Sequence, residues 1–110
     1  MSLVRLVDVL TQDPTVRRVL ALTASPGTEA FYDVTVAAGA RPALLTAMVQ
    51  ALGESHADRD SASTTGGQAP TPRPAVLVVT ATTRASQDLV EALRCYLPPE
   101  RIAEFPSWET

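Results

Sequence analysis

Residues 75–80 read Ala-Val-Leu-Val-Val-Thr, an uncharged run rich in β-branched side chains and without polar alternation. A string of this kind suits a parallel strand that is covered on both faces, because neither face is marked for water. Such a strand cannot stand alone. It needs neighbours to complete its hydrogen-bond ladder and helices to cover its faces, which directs the chain toward an α/β fold with crossover helices. The residues that follow supply such a helix. Thr82 or Thr83 can cap it, Ala85, Leu89, Ala92, Leu93 and Tyr96 form its apolar stripe, and Pro98-Pro99 ends it. Ile102-Ala103-Glu104-Phe105 then reads as a short strand.

The first half of the chain alternates in the same way. Leu3, Leu6, Val7 and Leu10 lie on one helical face. Asp13-Pro14 is an acceptor followed by a proline that tolerates the first helical turn, so a second helix starts there and carries Val16, Val19 and Leu20 until Ser25-Pro26-Gly27. Residues 30–36 are aromatic and β-branched enough for a strand, residues 37–40 form a small-residue turn, and Pro42 opens a third helix bearing Leu45, Met48, Val49 and Leu52. From residue 54 to residue 74 no Val, Leu, Ile or aromatic residue occurs, so this segment is expected to be a flexible surface loop. The whole, residues 1–110, is expected to form one α/β unit with a small parallel sheet. Because the chain stops directly after the last expected strand, it reads as the N-terminal piece of a longer protein, truncated at its C-terminal side. Its open sheet edge would be suited to a second copy in a homodimer.

Composition narrows the chemistry. All nine basic residues are arginine, so there is no lysine for a Schiff base or a standard phosphate loop. With one cysteine and one histidine, Cys95 and His56, no Cys/His metal cluster is expected, and no internal disulfide can form, in keeping with a cytoplasmic protein. A net charge of −3 argues against a sequence-independent grip on a nucleic-acid backbone. No basic leader or long apolar span opens the chain, and no membrane association is expected.

Two places could carry chemistry. The first is the strand–turn–helix at residues 34–42, where a nucleotide-binding protein would wrap phosphate with backbone N–H groups at a helix N-terminus. The required pattern is G-x-x-x-x-G-K-[ST]. Here Gly39-Ala40-Arg41-Pro42 stands at its end, with Arg41 at the lysine position and Pro42, which has neither hydroxyl nor N–H, at the Ser/Thr position. The string is therefore either a plain turn or a degenerate phosphate loop, and no catalytic residue is assigned to it. The second is Thr80-Ala81-Thr82-Thr83-Arg84, whose hydroxyls and guanidinium could meet phosphate or could simply cap a helix. Arg17-Arg18, Asp88 and Glu91 read as solvated helix positions, and Cys95 as a small core residue.

Three strings in order, Arg73-Pro74-Ala75-Val76-Leu77-Val78-Val79-Thr80-Ala81-Thr82, Asp88-Leu89-Val90-Glu91-Ala92-Leu93-Arg94 and Phe105-Pro106-Ser107-Trp108-Glu109-Thr110, resemble the N-terminal region of bacterial transcription-repair coupling factors of the high-GC Gram-positive branch. Thr80, Thr82, Trp108, Glu109 and Thr110 carry the motif positions. The resemblance implies a partial RecA-like, three-layer subdomain similar to the first subdomain of the excision-repair helicase subunit. It also implies a parent that is an ATP-dependent DNA translocase, displacing stalled RNA polymerase and recruiting excision repair. In that parent, ATP and magnesium would serve motor domains downstream, while the segment matched here would be non-catalytic and without a cofactor. The parent's partners would be RNA polymerase, double-stranded DNA and the excision-repair damage-recognition protein. Two rival readings are a divergent nucleotide-binding ATPase or phosphotransferase using Arg41, and a stand-alone α/β interaction module.

Overall fold

The computed structural model describes residues 3–24, 32–62 and 75–105. Within them the regular structure is helical: α1 (Val4–Leu10), α2 (Pro14–Ala24), α3 (Arg41–Ala62) and α4 (Thr83–Leu93), with short 3₁₀ turns at Ala38–Ala40 and Pro99–Arg101.

α1 and α2 are joined by a tight turn whose polar groups are accounted for locally. Thr11 N–H donates to the Val7 carbonyl at 2.9 Å, Asp13 N–H donates to the Leu10 carbonyl at 3.1 Å, and the Thr11 hydroxyl donates to the Asp8 carbonyl at 2.8 Å. The Asp13 carboxylate then accepts from Thr15 N–H at 2.8 Å and Val16 N–H at 3.3 Å, so the acceptor-proline signal does start α2.

α3 organises the molecule. It packs against α1, α2 and α4, and these are the substantial helix pairings among the described residues. Its first turns carry small side chains on the buried side. Ala43 and Ala47 enclose Val7 of α1, and Leu10, Leu20 and Tyr96 pack around that cluster. Thr46, between the two alanines in sequence, is 1% exposed, and its hydroxyl donates to the Pro42 carbonyl at 2.9 Å. That bond lets a polar side chain sit in the core without an unpartnered donor. Leu97, just beyond α4, is also buried.

The parallel sheet expected from the sequence is not formed. Among the described residues no strand occurs, so the α/β, RecA-like three-layer assignment is corrected to a helical arrangement. Residues 32–37, 75–80 and 102–105 take no regular secondary structure. The physical reason lies in what surrounds the 75–80 run. A central parallel strand is covered on both faces, whereas Leu77 is 81% and Val79 86% exposed. Tyr32, Val34 and Phe105, from the other two expected strands, are exposed as well. β-Branched composition favours extended backbone, but a strand exists only where a neighbour completes its ladder. The open sheet edge offered to a second copy has no counterpart among the described residues.

A second departure concerns the polar segment 54–74. α3 runs on through it as far as Ala62, and residues 63–74 lie outside the described residues. Adding a residue to a helix already nucleated costs less order than starting one, and the backbone of Glu54-Ser55-His56-Ala57-Asp58-Arg59 continues α3.

Two substitutions probe this arrangement. Val7→Ala removes the most enclosed aliphatic side chain of the cluster and is expected to lower unfolding free energy by about 2 kcal/mol. Gly53 lies inside α3, and a Cβ added there meets nothing within 4 Å. Gly53→Ala is therefore expected to raise stability by up to about 1 kcal/mol. Urea titration followed by far-UV circular dichroism reads both.

Candidate functional site

The approach to α3 is where the sequence leaves open a plain turn or a degenerate phosphate loop, and the backbone decides what it can hold. Ala37 is extended, with φ −56° and ψ 137°, and the chain then turns through Ala38–Ala40 directly into Arg41. Within this turn Ala40 N–H donates to the Ala37 carbonyl at 2.9 Å, and Arg41 N–H is committed to the Ala38 carbonyl. Pro42 has no N–H. Three successive positions, Ala40, Arg41 and Pro42, thus present no free amide to an anion. Phosphate binding at a helix N-terminus depends on such amides pointing outward together.

Gly39 adds a further sign. A Cβ built on it meets nothing within 4 Å, and its backbone is not in the left-handed region. Neither close approach nor conformation therefore calls for glycine, unlike the glycines of a loop that wraps phosphate. Arg41 is exposed, and Pro42 is half-buried at the second position of α3. These four residues are brought together as the sequence implies, but in a helix-initiating turn rather than a cradle. They do not fit a nucleotide phosphate.

The hydroxyl-rich turn before α4 is likewise occupied by local structure. Thr82 is the N-cap, with φ −138° and ψ 157°, and its Oγ1 accepts from Ala85 N–H at 3.1 Å. The Thr80 hydroxyl donates to the Thr82 carbonyl at 3.0 Å. The capping role foreseen for Thr82 or Thr83 falls to Thr82, while Arg84 is exposed beyond it. Ser86, in the first turns of α4, donates to Glu104 Oε1 at 3.3 Å and links α4 to the segment after the second 3₁₀ turn. Nothing in the sequence singled out that pair, because its members are 18 positions apart and ordinary in type.

The remaining candidates are dispersed. Arg17 lies on the exposed side of α2, yet its Nε donates to the Thr11 carbonyl at 3.1 Å and helps satisfy the end of α1. Arg18, Asp88 and Glu91 are exposed, as read from the sequence. Cys95 is corrected from core residue to exposed thiol, with Sγ 3.9 Å from the Glu91 carbonyl. It stands four residues after Glu91 and seven after Asp88, both exposed, so the helical phase of α4 carries it to the solvent side. Trp108, Glu109 and Thr110 lie outside the described residues. Among the described residues no group of three or more His, Cys, Asp and Glu side chains could hold a metal ion, and no helix is long and apolar enough to cross a membrane.

No family model, curated protein or solved structure matches the chain.

The turn chemistry yields a paired test. Gly39→Ala is expected to leave stability unchanged or raise it by about 0.4–1 kcal/mol, since a compatible glycine is being stiffened. Thr82→Ala removes the cap of α4 and is expected to cost about 1 kcal/mol. Thermal unfolding of the two variants beside the parent chain checks both signs.

Proposed function

We propose that this chain is a non-catalytic segment of a protein of the transcription-repair coupling type. It would contribute surface and helical scaffold rather than chemistry. The association with that class of protein rests on the ordered strings in residues 73–110 that resemble it. The non-catalytic role is carried by one observation: Ala40 and Arg41 donate their amides within their own turn, and Pro42 has none to give. In this reading ATP and magnesium belong to motor domains elsewhere in the parent. RNA polymerase, duplex DNA and the damage-recognition protein are partners of that parent, and the cytoplasm is its compartment. The exposed Leu77 and Val79, two positions apart in one extended segment, support a segment that works against other protein surface. The net charge of −3 supports leaving DNA to other parts of the parent.

Calorimetric titration with Mg-ATP separates this from a divergent ATPase. No saturable heat is expected, and micromolar binding abolished by Arg41→Ala would overturn the reading. Duplex DNA at physiological salt is expected to leave the fluorescence anisotropy of a labelled oligonucleotide unchanged, and measurable binding counts against the proposal. Sequencing the gene past the codon for Thr110 addresses the parent itself. An open frame containing an intact G-x-x-x-x-G-K-[ST] and helicase motifs is expected, and a stop codon at that point refutes it.

A further inference from the structure

We draw no further inference here: the strongest candidate, the exposed apolar patch of Leu77 and Val79 in the segment before α4, is an unpartnered face and nothing in the structure shows what covers it.

Discussion

The packing of Val7 with Ala43 and Ala47 is the contact on which the rest of the arrangement depends. It is possible because the buried side of α3 begins with small residues. Two alanines let α1 approach until an aliphatic side chain fills the space that larger residues would otherwise occupy, and dispersion gains follow from that proximity. Thr46 shares the same enclosed stretch and stays compatible with it by turning its hydroxyl back to the Pro42 carbonyl. Leu10, Leu20 and Tyr96 then close the cluster from three different parts of the chain. Among the described residues the core is small and is built mainly where helices meet.

The turn into α3 shows how one local choice decides both structure and chemistry. A helix start ordinarily leaves its first N–H groups without intrahelical partners, and those are the amides that a phosphate loop presents. Here the 3₁₀ turn at Ala38–Ala40 takes two of them, and proline deletes the third. What the turn gains is a well-defined entry that brings Ala43 and Ala47 to the buried side.

Local signals in the sequence were legible to the extent that they act locally. Asp13-Pro14 starts α2, and Thr82 caps α4, because each needs only residues two or three positions away. The apolar stripe of α4 lies half-buried at Leu89, Ala92 and Leu93, although Ala85 is exposed. The absence of strands among the described residues was not legible, because a ladder is a relation between distant segments and a β-branched run states only half of it. Residues 75–80 have the composition of a buried strand and the exposure of an unpaired one. The far half of α3 was hidden for the opposite reason. Polar composition in residues 54–62 signals a loop, but adding residues to an existing helix costs less order than nucleating one. Of the candidate site, residue identities at 39–42 were readable in advance, while the disposition of their amides required the backbone.

The radial packing around α3 has a thermodynamic consequence. α1, α2 and α4 each lean on the same helix, and their substantial contacts run to it rather than to one another. Such a layout gives unequal protection against opening. A peripheral helix that detaches leaves the other two their support, whereas loss of α3 would take the main partner of all three. The amides around Ala43–Ala47 are therefore expected to exchange with solvent more slowly than those of the outer helices.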